Sequence, residues 1–246
     1  MFFNPTIIKI QYYARKLRVL IKTAKDLFEL EKKFDALIVP TNQYLIQCRL
    51  PYITKGQLIT MESLDAVHSS SQWGGMEIDQ MNQLYPIQCV DGRVQASSGP
   101  NLTAHLAKIS YLSNSRKIKL LTGESIVTPS FCLEKKFSFL AHTAIPHQNE
   151  VDSLEKLINC YYTSVAMTIK KVKNPKIATS LLGNGARGLS KEQASIAAFE
   201  ACKKISSDIS ADVTVEFVLR DLETAFFLAT FFKKNVNSEF KTEIKA

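Results

Sequence analysis

What this chain lacks removes several classes of function. Its five cysteines (Cys48, Cys89, Cys132, Cys160 and Cys202) are too far apart for a C-x-x-C clip, and their number is odd. Its four histidines (His68, His105, His142 and His147) show no H-E-x-x-H or similar spacing. Both absences argue against a zinc site and a disulfide framework, so no metal ligand is expected, and the pattern fits a reducing, cytoplasmic setting. The opening MFFNPTIIKIQYYARK lacks the long apolar core of a signal peptide. Export by a route without a cleaved signal stays open. No segment reaches the run of about 18 apolar residues that a membrane span needs. No G-K-[ST] follows any glycine cluster, which excludes a Walker loop.

What is present is an ordinary globular composition. The 246 residues are 46% hydrophobic and 22% charged, enough for one large domain or two small ones. Lysine and arginine number 31 against 23 acids, a formal charge of +8. A basic surface favours anionic partners without choosing among phosphates, nucleic acid and membranes. The lysines are spread out, clustering only in TIKKVKNPK and the tail FFKKNVNSEFKTEIKA, so a solvated basic face accounts for most of them.

The chain opens with two β-rich runs, TIIKIQYY and KLRVLIKT, spaced as a hairpin. DLFELEKKF reads as a short helix or turn. DALIVP is a continuous apolar run of the kind a buried parallel strand shows. The middle is irregular, with loop chemistry in SSSQWGG and QASSGPN. Helices are predicted over EIDQMNQLY and NLTAHLAKISYL. After residue 117 the rhythm becomes regular. KIKLLTGESIVT is strand and turn, FSFLAHTAI a strand, VDSLEKLINCYYTSVAMTIKKV a helix and KIATSLL a strand. SKEQASIAAFEACKKI is a helix with a Ser190–Gln193 capping-box signature. DVTVEFVL and LETAFFLATFFKK close as strand and helix. Strands alternating with helices predict an α/β sandwich with a largely parallel sheet.

Residues 183–188 read G-N-G-A-R-G, between a predicted strand and a capped helix. Glycines let backbone N–H groups turn inward, and the helix start adds a positive dipole end, so the stretch suits a pyrophosphate. A plain turn joining strand to helix remains the alternative. A Rossmann dehydrogenase does not fit. Its loop follows the first strand, whereas this one lies in the last third of the chain. The acid at similar spacing, Asp212, starts the next strand instead of ending it.

In this order, the elements resemble a macro domain, the ADP-ribose-binding fold, from about residue 18 to about 232. Five segments carry the resemblance. AKDLFELEKKFDALIVPTN is similar to the family's opening, where a G-D-I turn precedes V-D-A-I-V-N-A-A-N. WGGMEID resembles the glycine-rich catalytic loop ending in Val-Asp. LLTGESIVTPSFCLEKKFSFLAHTAI resembles a Thr-Gly turn, a strand and a strand ending in His-Thr. SLLGNGARGLSKEQASIAAFEA resembles the phosphate loop and its helix. VEFVLRDLETAFF resembles the last strand and helix. The resemblance implies a three-layer α/β/α sandwich with a mixed, largely parallel central sheet. Residues 1–232 would form a single domain with insertions near 46–72 and 86–117, and 233–246 a polar tail.

The resemblance also implies site residues. Asp26, followed by Leu27, would accept a hydrogen bond from the adenine amine; an exposed turn acid is the alternative. Asn42 would touch the distal ribose, its amide donating and accepting to hydroxyls, or else cap a strand end. Gly74 and Gly75 would let backbone approach the ribose and a phosphate. Asp79 falls on the acid of the Val-Asp pair and would place or deprotonate a water, with Glu77 as rival; an acid at a helix start is the alternative. Gly183, Asn184, Gly185, Ala186, Arg187 and Gly188 would cradle the pyrophosphate. Arg220 would stack on the adenine edge.

The departures concentrate at the catalytic end. Val39, Pro40 and Thr41 replace Asn-Ala-Ala, Met76 replaces the third glycine, and Arg187 replaces the aromatic that covers the distal ribose. The expected activity is binding of ADP-ribose and its hydrolytic release from a modified protein or other acceptor, with no cofactor. A non-catalytic ADP-ribose reader is the alternative, and a basic nucleic-acid-binding or scaffold module the second. The absence of interleaved aromatic and basic residues on one predicted face argues against nucleic acid. The oligomeric state is not readable from the sequence.

Overall fold

The fold comes from a computed structural model. The structure describes residues 9–14, 16–24, 27–45, 76–78, 84–86, 90–112, 118–185, 187–235 and 241–245. The strands are β1 (Lys9–Ala14), β2 (Leu17–Thr23), β3 (Phe34–Thr41), β4 (Met76–Ile78), β5 (Leu84–Pro86), β6 (Ser125–Pro129), β7 (Phe137–Ala144), β8 (Lys176–Thr179), β9 (Val213–Leu219) and β10 (Lys241–Lys245). The helices are α1 (Val90–Ser98), α2 (Pro100–Ala107), α3 (Ser153–Ile169), α4 (Lys191–Asp208) and α5 (Leu222–Asn235), with 3₁₀ turns at Leu27–Glu29 and Phe131–Leu133.

Eight strands form one sheet in the order β10-β1-β2-β9-β8-β3-β7-β6. The five from β2 to β7 run parallel, and β6, β1 and β10 join antiparallel. The parallel core follows from strands that are apolar on both faces. In β3, Ala36 and Ile38 face a cluster with Leu157 and Tyr161 of α3, Ala198 of α4 and Phe232 of α5. Leu37 and Val39 face the opposite cluster, with Val94 of α1 and Leu102 and Leu106 of α2. The result is a three-layer α/β/α sandwich, as expected.

Local chemistry sets the element ends. Ser190 starts α4 through a reciprocal capping box: Gln193 N–H donates to Ser190 Oγ at 3.1 Å, and Ser190 N–H to Gln193 Oε1 at 2.9 Å. The helix predicted over 101–112 stops at Ala107. There the buried Lys119 ammonium donates to the carbonyls of Leu106 (2.8 Å) and Ala107 (3.1 Å), closing the helix C-terminus.

One predicted element differs from the sequence reading. The helix predicted over 77–85 is absent as such: Met76–Ile78 and Leu84–Pro86 pair antiparallel, with Glu77 opposite Tyr85. Apolar residues so sparsely spaced serve either period, and cross-strand pairing decides between them. Residues 86–117, read as an insertion, supply α1 and α2, whose Val94, Leu102 and Leu106 are core. The stretch read as a polar tail holds the end of α5 and strand β10, which pairs with β1.

The topology also places a crevice. From β8 the chain leads to α4 on one face of the sheet, while β3 leads toward α1 and α2 on the other. Neighbouring strands whose continuations part in this way open a gap at their carboxyl ends, the usual ligand position in such sheets.

Candidate functional site

A cleft of about 670 Å³ lies at that gap, within the range of small-molecule sites. Its floor is built by strand ends: Ala24 after β2, Pro40 and Thr41 of β3, Ser180 after β8, and Leu219 of β9. The glycine loop forms one wall through Gly183, Asn184, Gly185 and Arg187. Asn42 and Tyr44 stand at the end of β3, with Leu27, Phe28 and Arg220 toward β2 and β9.

The loop is held from behind. The buried Tyr161 hydroxyl accepts the Leu182 N–H at 2.7 Å, and burial pushes the Tyr161 phenol well above its ordinary pKa. Gly183 has φ +84°, and a Cβ there would lie 2.9 Å from Leu157 Cδ2. Glycine is thus required by backbone and packing together. Leu189 N–H donates to Gly183 O (3.2 Å), Gly188 N–H to Gly185 O (2.9 Å), and Gln148 N–H to Arg187 O (2.9 Å). Among the described residues, the amides of Gly183, Asn184 and Gly185 have no acceptor. A Cβ on Gly185 would meet nothing within 4 Å. Donors left open on a cleft wall suit an anion.

The sequence-derived residues divide into three groups. Leu27, Asn42, Gly183, Asn184, Gly185, Arg187 and Arg220 all line the cleft. Asn42 Oδ1 accepts the Tyr44 N–H at 3.0 Å, so it also has the strand-end capping geometry that was the alternative. Arg187 donates from Nη2 to Thr41 O at 3.3 Å, tying the loop to the end of β3. Gly188 turns elsewhere: a Cβ on it would lie 2.8 Å from Gln148 Cδ. The start of α4 does not line the cleft either, and its capping box takes up the Ser190 and Gln193 amides. Asp26, Gly74, Gly75, Asp79 and Ala186 lie outside the described residues, and Glu77 is described only as backbone of β4.

Other lining residues were not read from the sequence as part of the site. Asp91, in the first turn of α1, is 3% exposed and lines the cleft; Gln95 Nε2 donates to its Oδ1 at 3.4 Å. The signal was present in the Val90-Asp91 pair, which stands directly at a helix start. Asp221 also lines the cleft, but its Oδ1 accepts the Thr224 N–H at 2.6 Å and caps α5. His147 sits at the exposed rim, its Nδ1 accepting the Asn149 N–H at 3.3 Å. By contrast, His142 of the His-Thr pair is fully buried beside Thr128 Oγ1 at 3.0 Å. Burial, aided by nearby His105, lowers its pKa to about 3, so it is neutral. Among the described residues, no group of three or more His, Cys, Asp or Glu is placed for a metal ion, and no helix is long and apolar enough to cross a membrane.

Residues 82–198 match the family model of the Macro domain. The Oceanobacillus iheyensis macrodomain with ADP superposes with TM-score 0.65 at 17% identity, covering 93% of this chain and 96% of that one. A variant of that protein with ADPR gives TM-score 0.64 at 18% identity, covering 92% and 97%. The Trypanosoma brucei macrodomain in complex with ADP gives 0.55 at 16% identity, covering 88% and 69%. No curated protein matches the chain. The chain thus has the fold of these macrodomains, and residues 82–198 carry the family's match. The family-model match runs through α1 and α2, including Asp91.

Proposed function

We propose that this chain is a macrodomain that binds ADP-ribose in the cleft and hydrolyses its bond to an acceptor. The observation carrying the binding claim is the open amides of Gly183, Asn184 and Gly185 on the wall of a cleft at the β3/β8 gap. The pyrophosphate would take these donors, with Arg187 beside them supplying charge. Adenine would lie toward Leu27, Phe28 and Arg220, with Asp26 on its amine. The distal ribose would lie toward Asn42, with Gly74 and Gly75 allowing close approach. That similar structures carry ADP or ADPR supports a nucleotide as the ligand.

Hydrolysis needs a water at the anomeric carbon. Water adds there, the bond to the acceptor breaks, and the acceptor leaves with a proton. Asp91 is the favoured residue to hold that water and take its proton, because it lines the cleft from the first turn of α1. Asp79 and Glu77 are its rivals. The replaced residues at the catalytic end, Val39 and Met76 among them, favour one other reading: a reader that binds the mark without cutting it.

The test is calorimetric titration with ADP-ribose beside a release assay on ADP-ribosylated protein. Wild type should bind and release. Asp91→Ala should keep affinity within a few-fold and lose release, whereas Asp79→Ala should keep both. Binding without release in wild type establishes the reader. No binding of ADP-ribose, with tight and salt-dependent polynucleotide binding, establishes the nucleic-acid module instead.

A further inference from the structure

The turn after β3 is held more firmly than an exposed turn requires. Asn42 Oδ1 accepts the Tyr44 N–H at 3.0 Å, and Asn42 O accepts the Leu45 N–H at 3.1 Å. Gln43 O accepts two amides, Lys119 at 2.9 Å and Leu120 at 3.0 Å, and Gln43 Nε2 donates to Thr122 Oγ1 at 2.7 Å. Leu45 adopts φ +52°, a left-handed conformation unfavourable for a branched side chain, while its side chain is buried in the core. Strain held in place by surrounding bonds is a feature of sites that position something. What this turn presents is Tyr44, which is 42% exposed and lines the cleft. On the other side of the β3 end stands Arg187, tied to Thr41 O, at the position where the resembled family carries its ribose-covering aromatic.

We infer that Tyr44 is the aromatic cover of the ligand's distal ribose, supplied here by the turn after β3 instead of by the phosphate loop, and that it makes the site prefer ADP-ribose over ADP. This rests on the ligand orientation proposed above. A ring against a sugar face excludes water from the hydroxyls bonded by Asn42 and adds apolar contact. ADP ends at the second phosphate and offers the ring no sugar to cover.

The test is calorimetric titration of wild type, Tyr44→Ala and Tyr44→Phe with ADP-ribose and with ADP. Tyr44→Ala should weaken ADP-ribose by about tenfold, the lower range for loss of an aromatic stack, and leave ADP unchanged. Tyr44→Phe should match wild type on both. Equal affinity of Tyr44→Ala and wild type for ADP-ribose overturns the inference and leaves the proposed function standing. So does an equal loss on both ligands, which places the ring away from the ribose. Failure of wild type to bind either ligand overturns the proposed function, and this inference with it. A Tyr44→Trp variant gives a second readout, its emission measured against the Trp73 background of wild type. Emission should change with ADP-ribose and not with ADP; an unchanged signal with ADP-ribose bound overturns the assignment.

Discussion

Replacing Gly185 with glutamate separates binding from folding. Gly185 is not in the positive-φ region, and a Cβ there meets no atom within 4 Å. The folded chain therefore accepts a side chain, and Gly185→Ala should change stability by no more than about 0.5 kcal/mol. A glutamate enters the cleft beside the amides to which the proposed function assigns a pyrophosphate. Two unit charges about 5 Å apart interact by ~3 kcal/mol at an effective dielectric of about 20. That repulsion corresponds to a loss of roughly 200-fold in affinity. Gly183 is the contrasting position. An alanine there must adopt φ +84° with its Cβ 2.9 Å from Leu157 Cδ2, costing about 1–2 kcal/mol from the backbone alone. The assay is titration with ADP-ribose beside thermal denaturation of the same samples. Gly185→Glu should melt with wild type and fail to bind, while Gly183→Ala should melt lower. Should Gly185→Glu bind ADP-ribose within a few-fold of wild type, the loop amides do not hold the phosphates and the site is misassigned.

Two further outcomes follow from buried groups. Tyr161→Phe removes the acceptor for the Leu182 N–H. It should lower stability by about 1–3 kcal/mol and weaken ADP-ribose as the loop loses its support; an unchanged melting temperature refutes this. His142 has a folded pKa of about 3, lowered from 6.5 mainly by burial. The unfolded chain therefore takes up a proton between those values that the folded chain refuses. Its contribution is full above pH 6.5 and is lost as pH falls, by at most about 1.4 kcal/mol per pH unit, levelling off near pH 3. Melting temperatures of wild type should fall more steeply between pH 6.5 and 5 than those of His142→Gln. Parallel slopes would show that His142 is not the titrating group.

Much of the fold is legible in the sequence because its signals agree with one another. The apolar run DALIVP reads as a strand buried on both faces, and it lies within β3. The capping box at Ser190 and Gln193 marks the start of α4 to the residue. The glycine loop is legible by position, between β8 and that helix. Its inner economy is less so: of three glycines, Gly183 is held by packing, Gly185 opens to the cleft, and Gly188 meets Gln148. No local pattern distinguishes these three. The acid that would serve hydrolysis is harder still. Ile78-Asp79 and Val90-Asp91 both resemble the family's Val-Asp pair, and both acids suit a helix start. Only the three-dimensional path of the chain brings Asp91 to the cleft. Tyr44 is silent in the sequence because its placement depends on Lys119, Leu120 and Thr122, more than 70 residues away.

The antiparallel edge has a practical side. Lys9 pairs with Lys245, and Ile10 of β1 lies opposite Ile21 near the end of β2. The start of β1 and the end of β10 therefore emerge together on the side of the cleft, about 14 and 19 Å across the sheet from β8 at the usual strand spacing. An affinity tag or surface tether attached at either end would hang near the mouth of the cleft. Immobilised formats would crowd a bulky ADP-ribosylated protein more than a free nucleotide. An attachment point on the opposite rim, near the amino ends of the parallel strands, would keep that approach clear.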